Sequence, residues 1–210
     1  SADLLTTMPS DTSESADYLS EQAPNQAATS SASLPADAES GVMLHAYMWS
    51  FNEIRNSLPE IAEAGYKSIQ VSPVQRTKSD GEWWLMYQPC SFDIGNVQLG
   101  TEQDFRDLCT EAEEYGIDII VDAVLNHVAD NGSDGEWSPA IDDYLKRSDW
   151  YHNQGTCTDY SSRWNITQQN LGNLPDLATQ REDVQNVIID FLNLCVDAGA
   201  DGFRFDAAKH

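Results

Sequence analysis

The chain has 210 residues, and 11 Lys and Arg stand against 35 Asp and Glu, a formal charge of -24. Such a field repels nucleic acid and anionic membranes, and no Lys/Arg cluster overrides it, so neither is expected as a partner. A hydrophobic content of 40% is enough to bury a core, yet no run approaches the roughly 18 apolar residues of a membrane span. The acid excess fits plain solubility or adaptation to high salt, and both readings stand. Cys90, Cys109, Cys157 and Cys195 form no CxxC, which argues against zinc or thioredoxin-like chemistry. Cys109 and Cys195 fall in apolar helical stripes and are expected as buried thiols, with all disulfide pairings otherwise open.

Residues 1–40 contain no Lys or Arg and are dominated by Ser, Ala, Thr, Asp and Glu, the texture of a disordered acidic tail or linker. No basic segment leads into an apolar run, so no signal peptide is expected in the chain as it stands. From Gly41 short apolar runs alternate with amphipathic stretches. Strands are expected at Val42 to Tyr47, Ser68 to Val71, Ile117 to Val124 and Gly202 to Asp206. The capping-box spacing of Ser50 and Glu53 opens a first helix with Phe51, Ile54, Leu58 and Ile61 on one side, and Pro59 predicts a break or kink in it. A second helix runs from Glu102 to the turn at Gly116, and a third from about Glu182 to Ala198.

Continuous apolar strands separated by helices imply an α/β fold with a parallel sheet. Four strands with three helices between them make the N-terminal half of a (β/α)8 TIM barrel, since a whole barrel takes about 250 residues. Its first and last strands would be open edges that invite association. Two long connections, 73–100 and 128–178, follow strand C-terminal ends. They carry Trp83, Trp84, Tyr87, Trp137, Trp150, Tyr151, Tyr160 and Trp164. Flat rings on the catalytic face of a barrel suit the apolar faces of a sugar. Alternation along Phe203-Arg204-Phe205-Asp206 puts Arg204 and Asp206 on one side of the last strand. An arginine there keeps a carboxylate charged and oriented, as attack on a sugar C1 requires.

At this point four stretches, in order over about 41–210, resemble the alpha-amylase family of glycoside hydrolases. They are Trp83-Trp84-Leu85-Met86-Tyr87-Gln88-Pro89, Asp122-Ala123-Val124-Leu125-Asn126-His127, Leu174-Pro175-Asp176-Leu177, and Gly202 through His210. The first is similar to animal-type members and their bacterial relatives. The resemblance implies that Asp206 is the nucleophile, oriented by Arg204. It implies that His127 binds the sugar at the cleavage point while Tyr87 stacks on it. Trp83 and Trp84 would line donor-side subsites with Gln88 beside them, and Lys209 and His210 would touch the leaving side. Calcium would be held by the side chains of Asn126 and Asp176 and by backbone carbonyls of His210 and of the third loop near Thr167. Six to eight oxygen ligands make that set reasonable. Asp122 would support the pocket, and 128–178 would form a loop subdomain like domain B of the family.

The resemblance also implies an alpha-glucan polysaccharide as substrate, an extracellular location and hydrolysis of internal alpha-1,4 bonds with retention; chloride dependence stays undetermined. The family's acid/base Glu lies on a fifth barrel strand, and a further Asp follows the seventh. No residue of this chain matches either, so the isolated chain is expected to be inactive and the other half of the barrel to be its partner. Two alternatives stand beside this reading: a non-catalytic alpha-glucan-binding module, and an alpha-glucosidase or transglycosylase of the same family.

Overall fold

The computed structural model describes residues 34–78 and 81–210. Most of the expected tail, residues 1–33, lies outside them. In its last stretch Asp37 caps a 3-10 turn at Ala38–Ser40, and Leu34 packs against the core. In chain order the main elements are β1 (Val42–Ala46), α1 (Phe51–Glu63), β2 (Tyr66–Val71), β3 (Gln75–Thr77), β4 (Pro89–Asn96), β5 (Gly100–Thr101), α2 (Glu102–Glu114), β6 (Asp118–Ala123), α3 (Arg163–Gln168), α4 (Glu182–Asp197) and β7 (Gly202–Phe205).

Strands β1, β2, β6 and β7 form a parallel sheet in that order. Spatial order follows sequence order, as in a barrel wall. The inner strands β2 and β6 have neighbours on both sides and bury most of their residues, which is why they read as unbroken apolar runs. Among the described residues β1 and β7 pair on one side only. Val42 and Phe205 on these edges are 62% and 50% exposed, so the open-edge expectation describes the sheet as it stands.

Helix α1 starts where Ser50 and Glu53 exchange hydrogen bonds, Ser50 N–H donating to the Glu53 carboxylate at 2.7 Å and Glu53 N–H to the Ser50 hydroxyl at 3.2 Å. It runs unbroken through Pro59 to Glu63, so the break expected there does not occur. A mid-helix proline costs about 3 kcal/mol. Burial of Phe51, Ile54, Leu58 and Ile61 outweighs it, at roughly 1.5–3 kcal/mol for each side chain. Helix α2 has its own capping box at Thr101 and Asp104 and packs on α1, with Phe51 and Phe105 ring centres 5.2 Å apart. Gly199 closes α4 at φ +107°, and a Cβ there would lie 2.7 Å from that of Cys109. Only glycine lets the end of α4 seat against α2. All four cysteines are buried and free, so no disulfide forms. Burial pushes the Cys109 and Cys195 thiols up to about 12.

The two long connections are folded. The first holds an antiparallel sheet, β3-β4-β5, that the hydrophobic pattern does not announce. It rests on α4 through Phe92 and Phe191, whose rings meet edge to face at 5.9 Å. The second, 128–178, contains α3 and isolated bridges such as Tyr151 with Leu177 rather than a sheet. Its aromatic residues do not all face solvent as expected of sugar-binding rings. Trp150 and Tyr151 are buried with Ile141, Leu145 and Leu177, because a connection this long needs an apolar centre of its own. No helix among the described residues is long and apolar enough to cross a membrane.

Asp183, in the first turn of α4, ties the second connection to the barrel wall. It accepts from Trp150 Nε1 at 2.8 Å and from Arg181 Nε at 3.0 Å. Those bonds, the Arg181 one foremost, hold its carboxyl at about 2, below the ordinary 3.8. A depressed carboxylate stabilises the fold above its unfolded value and loses that contribution as pH falls through the folded one. Asp183→Asn is therefore expected to lower the thermal midpoint at pH 7, with the gap from the parent closing between about pH 4 and pH 2. Melting curves across that range check it, and a gap independent of pH would contradict it.

Candidate active site

Parallel register sets Asp122 of β6 beside Arg204 of β7, both near the C-terminal ends of their strands. Arg204 Nη1 donates to Asp122 Oδ1 at 2.7 Å and to Asp206 Oδ1 at 2.7 Å. The Tyr87 hydroxyl donates to the other Asp122 oxygen, Oδ2, at 2.9 Å. The result is one chain of hydrogen bonds, Tyr87 to Asp122 to Arg204 to Asp206. Asp122 has no exposed surface, whereas the Asp206 side chain keeps 17% of its own. Burial pushes the Asp122 carboxyl above the usual carboxylate range, with the Arg204 and Tyr87 bonds pulling against it. The Tyr87 hydroxyl is pushed up by burial and then by the Asp122 charge, and Arg204 is raised foremost by its bond to Asp122. Strand β7 ends one residue before Asp206. The Asp206 N–H still bonds the Ala123 carbonyl at 3.0 Å, and Ala207 then turns the chain away at φ +50°.

Arg204 and Asp206 form the floor of an open cleft of about 430 Å³, walled by Tyr47, Trp83, Trp84, Tyr87, Gln88 and Leu174. Trp83 and Trp84 occupy a 3-10 turn that splays their rings edge to face at 5.9 Å and leaves them 54% and 47% exposed. Two exposed indoles above a carboxylate make a surface for a sugar ring, apolar on its faces and polar at its rim. The Gln88 Oε1 is buried without a hydrogen-bond partner among the described residues. Sequence reasoning did not single out Tyr47 or assign a role to Leu174. Tyr47's place after the C-terminal end of β1, on the catalytic face, was the available signal.

The structure places His127, expected to bind the sugar, inside the protein. The side chain is 1% exposed, and its Nε2 donates to the Tyr87 carbonyl at 2.9 Å. Burial lowers its pKa, which suits the neutral ring carrying its proton on Nε2. Its reach into the cleft passes through the backbone of Tyr87. Lys209 and His210 turn toward the second connection, Lys209 Nζ lying 5.5 Å from the Tyr160 ring centre and His210 Nδ1 donating to the Ile166 carbonyl at 2.9 Å.

That contact brings His210 next to Thr167, in the region expected to hold calcium. Asn126 Nδ2 donates to Asp176 Oδ1 at 3.0 Å, and both side chains are buried. The second Asp176 oxygen accepts from His152 Nδ1 at 2.5 Å. No three His, Cys, Asp or Glu converge among the described residues. The expected set, however, is one carboxylate, one amide and carbonyls, all hard oxygen donors, and its chemistry fits calcium. Turning the Asn126 amide over would set its Oδ1 against Asp176 Oδ1, two oxygens that a cation would hold together.

Residues 49–210 match the family model described as alpha amylase, catalytic domain. An alpha-amylase of Clostridium acetobutylicum is 55% identical over 181 residues, 84% of this chain and 24% of that protein. Pancreatic alpha-amylase 2a5 of Mus musculus is 30% identical over 187 residues, 80% of this chain and 37% of that one. Among solved structures, a variant of alpha-amylase I from Eisenia fetida in complex with maltohexaose aligns with a TM-score of 0.73 at 27% identity, over 81% of this chain and 38% of its own. The chain therefore spans about a quarter to two fifths of the length of these relatives.

Removing Arg204 would strand the charge of Asp122, a side chain with no exposed surface. Arg204→Met is expected to cost about 1–3 kcal/mol, less than a fully buried pair would lose because the arginine is partly solvated. The deficit should shrink as pH falls and Asp122 takes up a proton, and Asp122→Asn in the same background should recover part of it. Urea denaturation at pH 7 and pH 4 measures both effects.

Proposed function

The chain belongs to the alpha-amylase family, and from that membership we propose that it contributes the nucleophile and donor-side walls of a retaining hydrolase acting on internal alpha-1,4 bonds of starch or glycogen. The observation that carries the proposal is Arg204 bridging Asp206 to the buried Asp122 beneath two exposed tryptophans. Asp206 attacks C1 of the bound glucosyl unit, the bond to the leaving oxygen breaks, and a covalent glycosyl intermediate forms that water later hydrolyses. Arg204 fixes the angle of attack. Tyr87, held by its bonds to Asp122 and His127, stacks on the reacting sugar, while Trp83, Trp84 and Gln88 hold the unit before it. Extracellular action is part of the same proposal.

Retaining chemistry needs a second carboxyl about 5–5.5 Å from the nucleophile to protonate the leaving oxygen. Asp122 cannot serve, since it is fully buried and both of its oxygens are engaged by Arg204 and Tyr87. Among the described residues no carboxylate besides Asp206 lines the cleft, and we assign the acid/base group to a residue outside them. Calcium, held by Asn126, Asp176 and the carbonyls of His210 and Thr167, would supply charge that cross-links the second connection to the end of β6. The bond-making stays with Asp206.

The 210-residue chain alone is expected to bind maltohexaose and to release no reducing sugar from starch. In a form of the protein that carries the acid/base group, Asp206→Asn should lower turnover at least about 1,000-fold and leave glucan affinity within a factor of a few. Reducing-sugar assays and calorimetry read the two quantities. Full turnover in the Asn variant would show that Asp206 is not the nucleophile, whereas a parent that binds glucan and releases no sugar would favour the non-catalytic glucan-binding alternative.

A further inference from the structure

Tyr47 immediately follows β1, on the same end of the parallel sheet as Asp206, and lines the cleft with 39% of its surface exposed. The hydroxyls of Tyr87, Tyr144 and Tyr151 are spent inside the protein, on Asp122, on the N–H of Phe92 and on the Leu145 carbonyl. The Tyr47 hydroxyl has no hydrogen-bond partner among the described residues.

The backbone next to it is strained in a telling place. Among the described residues three that are not glycine have positive φ: Met48 at +62°, Asn153 at +56° and Ala207 at +50°. Asparagine tolerates that region, whereas methionine and alanine do not favour it. Both of these directly follow a residue of the cleft, Met48 after Tyr47 and Ala207 after Asp206. The Met48 turn is held in place, its N–H donating to the hydroxyl of the fully buried Ser72 at 2.9 Å and its carbonyl accepting from Gln98 Nε2 at 3.2 Å. A strained turn over-determined by its surroundings marks a functional position more often than a neutral one.

We infer that Tyr47 is a sugar-contacting residue of this cleft, its phenol hydroxyl hydrogen-bonding a hydroxyl of a donor-side glucosyl unit seated on Trp83 and Trp84. The inference rests on the glucan reading proposed above. It adds a fixed polar contact to walls that are otherwise largely aromatic, so Tyr47 both strengthens binding and sets how the sugar is turned on the indoles.

Calorimetric titration of maltohexaose into the chain tests it with three variants. Tyr47→Phe keeps the ring and the volume, and loss of the hydroxyl is expected to weaken binding about five- to tenfold. Tyr47→Ala should weaken it further, and an unchanged thermal midpoint for Tyr47→Phe shows that the loss is local. Trp84→Ala reports on the glucan reading independently. If Tyr47→Phe binds as tightly as the parent while Trp84→Ala is weakened, the Tyr47 assignment is wrong and the glucan reading stands. If the parent does not bind maltohexaose at all, both are overturned.

Discussion

One guanidinium holds the site together. Arg204 gives hydrogen bonds to a carboxylate with no exposed surface, Asp122, and to one that still faces the cleft, Asp206. The buried partner acts as an anchor, because a charge in that position is tolerable only while a cation and the Tyr87 hydroxyl satisfy it. The partner that faces the cleft inherits that rigidity at the point where a nucleophile needs it. Tyr87 lies at the other end of the same chain, so the aromatic wall and the reactive carboxylate are positioned by one network rather than by two loops acting separately.

That network depends on the sheet beneath it. Asp122 and Arg204 meet because β6 and β7 are parallel neighbours in a register that sets those two residues side by side. A shift of β7 by one residue would turn Arg204 to the opposite face, away from Asp122. Packing maintains the register: β4 sits on α4 through Phe92 and Phe191, and α2 and α4 close against each other where Gly199 leaves room for Cys109. The second connection is tied in through Trp150 to Asp183, and through His210 to Ile166 just beyond Asp206. Residues far apart in sequence thereby share one rigid setting.

The frame of the barrel was legible because local signals and burial agree. β2 and β6 are covered on both sides and therefore unbroken in apolar character, and α1 is opened by a capping box with its apolar stripe behind it. Pro59 misled because the penalty it imposes is local while the burial that offsets it is spread over four side chains from Phe51 to Ile61. β4 was illegible for the converse reason: Pro89 and Gly95 weaken its pattern, and what holds it, β3 and Phe191, is distant in the chain. At the site, the alternation of Arg204 and Asp206 was readable from the strand period. The direction of His127 was not, since only the folded chain shows that the Tyr87 carbonyl takes its proton.

The most direct measurement is to identify which carboxylate takes the sugar. Fluoride leaves without needing a proton, so an alpha-glucosyl fluoride carrying a second ring fluorine to slow breakdown of the intermediate can label the nucleophile even where the acid/base group is absent. Peptide mass spectrometry of the treated protein should find the added fluoroglucosyl mass on Asp206 in the peptide that also contains Arg204. A label on Asp122 or any other carboxylate, with Asp206 unmodified, would contradict the account.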